Sequence, residues 1–537
     1  MRFLSNNKYL FVCGILLVGL IFVTLYEPPG RLGTPEFPEI TTSERSYNLT
    51  EYPYLTNEII GMYNYFRSVL FGQGINEFEH IEPAVGGIPM PFGPGGDAGI
   101  RYVLAFLAYG MSEMIETTPG YRDPAYYQNV SDRVLQKMEA PKTKAYWNES
   151  SMIYNGKSYY QFVIDHYGVP PGDFEGLKYT NIMYRGHWAL MEALYQFLFD
   201  DPKYNGTLTQ QLSMLYEEMT NTSFPTYTTP GVPCEPEQLF VQCNTIQSLA
   251  FKIYDSCLNT SPTNYYTAAA RLLDFELANM TNEDGLFVNG INVTKFVNGN
   301  PNYVDDFDSG YTQGWSIAFI NAYNQSIAEM LYPKFKSAYI SETVYPGILG
   351  ELAYMKEDKN IDPFSTNIMD FAFSLAANGF GVACAKELGD YQIRDGILNW
   401  LTHYFTPKWE GNRYYMPTPI FEGLQFVFNM IVYWAQQEWV NLGNFTQRRS
   451  ASFWTQPYIA DVSDVENIFI NQAIYDEPNS AFILTCSAAS PGNITLTNIV
   501  GGTVYSKQSS GWNTQANGNN LTMMLNKGGN YNFVIEF

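Results

Sequence analysis

The stretch "GHWALMEALYQFLF", Gly186 to Phe199, sets how the rest of the chain is read. Trp188, Met191, Leu194, Tyr195 and Leu198 recur at intervals of three and four, which places them on one face of an α-helix. The same spacing returns in "IRYVLAFLAYGMSEMI" (100–115), "NTIQSLAFKIYDSCL" (244–258), "AAARLLDFELANM" (268–280), "YTQGWSIAFINAYNQSI" (311–327), "FAFSLAANGFGVACAKEL" (371–388) and "LQFVFNMIVYWAQQEWV" (424–440). Loops rich in Gly, Pro and Asn separate these segments. A long series of paired helices points to a mainly α fold, a helical toroid or α/α barrel, rather than a four-helix bundle. Several of the helices carry small or aromatic residues in place of a Leu-rich stripe. Helices lining a central cavity have that composition, and so does ordinary core packing.

The barrel is assigned to residues 54–450. After Ser450 the texture changes. "AFILTCSAAS", "NITLTNIVGGTVYS", "NNLTMMLN" and "NYNFVIEF" are short β-branched and aromatic runs between Gly, Asn and Ser turns, so residues 451–537 are read as a small antiparallel β-domain. At the other end, residues 1–26 hold "YLFVCGILLVGLIFVTLY" (9–26), uncharged throughout and preceded by Arg2 and Lys8. Its length suits a membrane span, and "TLYEPPGR" behind it offers no small-residue cleavage site. It is read as an uncleaved signal-anchor, with cleavage as the alternative. The anchor gives a single-pass membrane protein with the bulk of the chain outside the cytoplasm. Residues 27–53, rich in Pro, Thr and Glu, are read as a tether. Twelve Asn-x-Ser/Thr sequons, from Asn48 to Asn520, fit a glycosylated external protein, although a chain rich in Asn and Thr also makes sequons by chance.

The 537 residues carry 30 basic and 53 acidic side chains, a net charge of −23. Nucleic acid is excluded as a partner, because no basic stripe exists to neutralise phosphates. Peripheral binding to anionic lipid is disfavoured for the same reason. There is no phosphate loop, no Gly-x-Gly-x-x-Gly after a strand, no His-Glu-x-x-His and no nucleophile elbow; "GPGGDAG" (93–99) reads as a loop. The four histidines, His80, His166, His187 and His403, are too scattered to build a His-rich metal site, and no cofactor is expected.

Cysteine is scarce, six residues in all, yet Cys234 and Cys243 flank the single short stretch "CEPEQLFVQC". Three readings compete. A disulfide suits an external protein. A zinc site with His187 and Glu235 would use a spacing that matches no common structural pattern. A thiol pair could act as acid and base, since a neighbouring His, carboxylate or apolar wall moves a thiol pKa. Cys257 and Cys384, on apolar helix faces, read as buried small residues, and Cys13 lies in the N-terminal run.

"NIMYRGHWALMEALYQFL" (181–198) followed by "CEPEQLFVQCN" (234–244) resembles the linalool dehydratase-isomerase family. "PPGRLGT" (28–34), "IRYVLAFLAYG" (100–110), "YTQGWSIAFI" (311–320), "YPKFK" (332–336), "ACAKELGDYQI" (383–393) and "RYYMP" (413–417) resemble family segments in the same order. The resemblance covers roughly residues 28–440 and implies an (α/α)6 toroid. It implies a lyase or isomerase that dehydrates or isomerises a small apolar alkenol without a cofactor or metal, and assembly as a ring homo-oligomer. By the same resemblance Cys234 and Cys243 are the thiols near the reacting carbons. His187, Glu235, Tyr102 and Tyr311 are the polar groups at the hydroxyl. Met183, Phe240 and Trp315 are apolar walls. Loss of water from an allylic alcohol needs a proton on the leaving oxygen and a base for a carbon-bound proton, inside an apolar wall that excludes water.

One segment departs from the family. Its early helix carries an aspartate and a tyrosine near the hydroxyl, and the matching "YNYFRSVLFGQG" (63–74) has Tyr65 and Phe71 there. Asp97 is a candidate replacement. The family's second cysteine pair, a disulfide, is absent, since the regions around Ile75 and Thr143 hold no thiol. Two other functions stay open: a carbohydrate-active toroid using Glu235 with Asp305, Asp306 and Asp308, and a non-catalytic cell-surface protein.

Overall fold

A computed structural model describes residues 32, 34–81, 98–141, 143, 181–220, 229–234, 238–293, 309–342, 349–351, 368–403, 405–418 and 425–537, with two-residue strands at 84–85, 88–89, 153–154 and 157–158. The fold is mainly helical with a C-terminal β region. Twelve described α-helices run through it: α1 (Asn57–Phe71), α2 (Ala98–Thr117), α3 (Asn129–Met138), α4 (Ile182–Phe199), α5 (Asn205–Thr220), α6 (Val241–Ile253), α7 (Tyr266–Asn279), α8 (Gly310–Tyr323), α9 (Gln325–Tyr339), α10 (Ile368–Glu387), α11 (Tyr391–His403) and α12 (Gln425–Ala435).

The even-numbered helices close a ring. α2 packs on α4, α4 on α6, α6 on α8, α8 on α10, α10 on α12, and α12 back on α2. The odd-numbered helices back them from outside: α3 on α2 and α4, α5 on α4, α7 on α6, α9 on α8, α11 on α10, and α1 on α12 and α3. Side-chain burial explains the division. Every residue of α4 from Ile182 to Leu198 is buried, so the helix has no face for water. α3 buries only Val130, Val134, Leu135, Lys137 and Met138, a single stripe. Glycines let the inner helices approach closely. A Cβ on Gly186 would touch Gln247 of α6, and one on Gly314 would stand 3.0 Å from the Phe380 carbonyl carbon of α10.

The inner helices run parallel. Along α2, Tyr102, Phe106 and Tyr109 descend one face. Trp315 of α8 meets Tyr102 and Phe106, and Phe319, one turn further along α8, meets Phe106 and Tyr109. The N-termini of the ring helices therefore share one end.

The β region is two four-stranded antiparallel sheets. The first has strand order Tyr458–Val462, Gly492–Thr497, Asn520–Leu525, Trp512–Asn517. The second has the order Ile468–Asp476, Ala481–Ala488, Gly529–Glu536, Thr503–Ser506. Ile494, Leu496, Leu521, Met523 and Leu525 alternate with solvated residues, so the first sheet buries one face. The strand Ala481–Ala488 is buried on both faces: Phe482, Leu484 and Cys486 join the main core, while Ala481 and Ile483 pack with Ile40, Tyr47 and Leu49.

That second packing changes the reading of residues 27–53 as a tether. Glu39–Thr41 and Ser46–Asn48 pair as an antiparallel hairpin, and Tyr47 donates to Glu536 at 2.9 Å. The segment from Thr34 onward is docked on the sandwich, because Ile40, Tyr47 and Leu49 complete an apolar cluster there. The proposed span at 9–26 lies outside the described residues. Among the described residues no helix is long and apolar enough to cross a membrane.

The sandwich meets the ring at its C-terminal end. Gly120, three residues past α2, donates to Ala473 O at 2.8 Å and accepts from Ile459 N at 2.6 Å. A Cβ at Gly120 would stand 2.6 Å from the Ala473 oxygen, so contact this close requires glycine. The side chain of Asn471 donates to Leu55 O at 2.9 Å.

Candidate active site

The sequence-predicted residues gather in the first turns of the ring helices. Tyr102 is in α2, Met183 and His187 in α4, Cys243 in α6, and Tyr311 and Trp315 in α8. Cys234 lies in the loop before α6, and Phe240 is the last residue of the strand Gln238–Phe240, which pairs with Gly290–Asn292. Glu235, Asp97, Asp305, Asp306 and Asp308 fall outside the described residues.

The cysteine loop is built into the start of α4. Asn181, the N-cap residue, adopts a left-handed conformation (φ 55°, ψ 40°). Its N–H donates to Cys234 O at 3.0 Å, and Ile182 N–H donates to Pro233 O at 3.3 Å. First-turn N–H groups that a helix cannot satisfy internally are thus taken by the loop that carries Cys234. Asn244, the neighbour of Cys243, grips the same loop. Its Oδ1 accepts from Val232 N at 3.1 Å and its Nδ2 donates to Val232 O at 3.1 Å and Phe240 O at 2.9 Å. Gln247 Nε2 donates to the same Oδ1 at 3.0 Å. Cys234 and Cys243 are therefore fixed to one frame through the backbone. Both are buried, and no disulfide joins them in this structure.

His187 is wholly buried. Its ring lies 5.8 Å from Tyr102, 5.4 Å from Phe106 and 5.7 Å from Trp315, centroid to centroid, and Tyr102 and Trp315 are 5.7 Å apart. Trp315 stacks on Phe380 at 4.5 Å. Four inner helices, α2, α4, α8 and α10, thus supply one aromatic wall. His187 Nδ1 lies 2.7 Å from the Tyr109 hydroxyl, while Nε2 is buried without a hydrogen-bond partner among the described residues, as is Nε1 of Trp315. Burial, reinforced by the Arg101 guanidinium, pushes the imidazole pKa down to about 3, so the ring is neutral. A polar group offered to this wall would meet these two unpartnered nitrogens in a largely aromatic surface.

Two predicted residues are elsewhere. Tyr65 stacks on Tyr415 at 4.8 Å and accepts from Gln425 Nε2 at 3.2 Å; burial pushes its pKa up to about 12. None of its ring contacts reaches the His187 cluster. Phe71 is 44% exposed near the end of α1, with the Arg133 guanidinium 5.6 Å from its ring. Phe71 is the last residue of this outer helix and faces solvent, away from the His187 wall.

Below the aromatic wall lies a buried charged cluster that the sequence reading did not find. Lys386 Nζ sits 2.6 Å from Glu113 Oε2 and 2.9 Å from Glu387 Oε1, and donates to Val440 O at 2.8 Å. Glu387 Oε2 accepts from Leu442 N at 2.9 Å. Glu113 continues the α2 face of Tyr102, Phe106 and Tyr109, a signal present in the sequence spacing. Two surface clefts, of about 610 and 470 Å³, are lined by none of the predicted site residues. Among the described residues no cluster of His, Cys, Asp and Glu has the makings of a metal site.

The family model described as Linalool dehydratase/isomerase matches residues 101–419. Among solved structures, the chain is similar to an unsaturated glucuronyl hydrolase specific for heparin, at 9% identity over 72% of this chain and 99% of that one, with a TM-score of 0.41. It is similar to a glycoside hydrolase family 76 mannosidase from Bacteroides thetaiotaomicron, at 11% identity over 71% and 99%, with a TM-score of 0.41. A cellobiose 2-epimerase from Bacillus thermoamylovorans is similar at 11% identity over 69% and 99%, with a TM-score of 0.32. Likenesses this distant bear on neither substrate nor chemistry.

Proposed function

Because this chain belongs to the linalool dehydratase/isomerase family, we propose that it is a hydro-lyase or isomerase whose substrate is an apolar alkenol, bound at the N-terminal end of an (α/α)6 toroid. The observation that carries this reading is the aromatic wall of Tyr102, His187 and Trp315, three side chains from three inner helices within 6 Å of one another. Met183, Trp315 and Phe240 take the hydrocarbon. Tyr102, Tyr311, His187 and Glu235 hold the hydroxyl. In dehydration the C–O bond breaks, the oxygen leaves as water with a proton delivered to it, and a base takes a proton from the neighbouring carbon to form the diene. In isomerisation the hydroxyl returns at the other end of the allyl unit. Cys234 and Cys243 are assigned the two proton transfers. Their shared backbone frame supports that assignment.

The test is a product assay on the full chain, without oxygen, against a panel of short and terpenoid alkenols read by gas chromatography and mass spectrometry. Cys234→Ala and Cys243→Ala are run alongside. A diene or rearranged alcohol that disappears in both variants supports the reading. Turnover that survives both substitutions refutes the thiol assignment, and no turnover across the panel refutes the substrate class. The N-terminal run is proposed as a single-pass anchor and the ring as exterior and glycosylated, to be tested by carbonate extraction and glycosidase treatment. Assembly into a ring homo-oligomer is tested by light scattering.

A further inference from the structure

Tyr109 sits one and two turns below Phe106 and Tyr102 on α2, and its hydroxyl is 2.7 Å from His187 Nδ1. Two arrangements of protons fit that distance. If Nδ1 carried the proton, it would donate to the phenol oxygen. The Tyr109 O–H would then need another acceptor; among the described residues its hydrogen bond is to His187, and the rings around its own are Phe106, Phe319, Trp434 and His187 itself. Two groups would be stranded in a dry interior, the phenol O–H and the bare Nε2. If Tyr109 donates to Nδ1 instead, only Nε2–H is left open. Leaving a buried polar group unmade is costly, so the second arrangement prevails.

We propose that Tyr109 is a positioning residue that fixes His187 as the neutral Nε2–H tautomer, so that His187 meets the substrate oxygen as a hydrogen-bond donor and not as a base or an imidazolium acid. The hydroxyl oxygen of the alkenol is the acceptor that the open N–H fits; this identity rests on the alkenol reading, whereas the tautomer does not. The surroundings agree. Among the described residues, the titratable and charged groups shown against the ring are Arg101, Tyr102 and Tyr109, all from α2. α6 meets α4 at Gly186 through Ile246 and Gln247, and α8 presents Trp315. No carboxylate among the described residues is in place to stabilise a charged imidazole. Proton delivery to the leaving oxygen then falls to another group, with His187 orienting the oxygen that receives it.

The experiment is nitrogen-15 NMR of the full chain labelled at histidine, with His187→Gln used to assign the signal among the four histidines. The expected spectrum shows a protonated Nε2 and an unprotonated Nδ1 for His187, unchanged from about pH 5 to about pH 8. In Tyr109→Phe the same signal moves toward a mixture of tautomers. A protonated Nδ1, or an imidazolium near neutral pH, in the wild type overturns the proposal whatever the enzyme turns over. With an alkenol that is turned over, Tyr109→Phe lowers kcat by roughly tenfold with KM little changed, the share of one hydrogen bond made to the reacting oxygen. An unaltered kcat with an altered tautomer overturns the donor role and leaves the alkenol reading standing.

Discussion

Asn244→Ala removes the residue that ties the Cys234 loop to the start of α6. The side chain is completely buried and makes four hydrogen bonds: two to Val232, one to Phe240 O and one from Gln247. Alanine removes the partner of both Val232 backbone groups and of Phe240 O in a site closed to water, and leaves Gln247 Nε2 only the Met219 sulfur. At about 1 kcal/mol for each bond, less what local rearrangement recovers, the loop loses about 3 kcal/mol. The loss is local, because α4 and α6 still meet at Gly186. Local opening is read by hydrogen exchange, where about 3 kcal/mol is roughly a hundredfold faster exchange. The expected result is that acceleration in peptides covering 229–234 and the first turn of α4, whose Asn181 and Ile182 N–H groups donate to the loop. Peptides in the β-sandwich keep their protection. If exchange at Val232 and Asn181 is unchanged, the clamp is not what holds the cysteine loop, and the shared frame of the two thiols falls with it.

Three other outcomes are expected. Burial, and then the Glu387 carboxylate, pushes the Glu113 pKa well above its ordinary 4.5; its stabilising contribution is whole below that unfolded value and is lost as pH rises through the folded pKa, so the melting temperature falls as pH rises above the ordinary carboxylate range and Glu113→Gln flattens the fall. A wild-type profile already flat refutes this. Gly314→Ala places a Cβ 3.0 to 3.1 Å from backbone atoms of Phe380 and Gly381; α8 and α10 must part, at a cost of about 1–3 kcal/mol seen as a lowered melting temperature. Arg185 and Glu218 form a buried two-point pair at 2.8 and 2.7 Å; Arg185→Met takes this cation from a buried carboxylate and costs about 3–5 kcal/mol, while the double variant Arg185→Met with Glu218→Leu recovers most of it in denaturation.

The helices and the β-sandwich were legible because their patterns are strong. Gly186–Phe199 repeats at helical spacing, and 481–488 and 529–536 are β-branched runs between turns. The hairpin at 39–48 was not, because its alternation spans too few residues to stand out beside Pro and Thr, and its purpose appears only when Ala481 and Ile483 are beside it. Tyr102, His187 and Trp315 are far apart in the chain, so only the family resemblance grouped them; the ring then brought them together. Tyr109 was within reach, since it continues the Tyr102 and Phe106 face. Asn244 was hidden, because an asparagine in a helix carries no sign that it binds a loop. The segment with Tyr65 and Phe71 matched as sequence, yet α1 is an outer helix and neither ring contacts the wall.

The two ends of the ring answer to different constraints. At one, Gly120 abuts Ala473 with no room for a methyl group, and the hairpin at 39–48 is sewn to the last strand through Glu536. At the other, the first turns of α4 and α6 are held by hydrogen bonds to the loop that carries Cys234. α2 separates these ends by about 30 Å, from its 20 residues. The described segment from Thr34 onward is therefore anchored at the sandwich, at the far end of the ring from the helix N-termini. A substitution at the N-terminal end of the ring leaves the contacts of Gly120 and Glu536 at the sandwich intact.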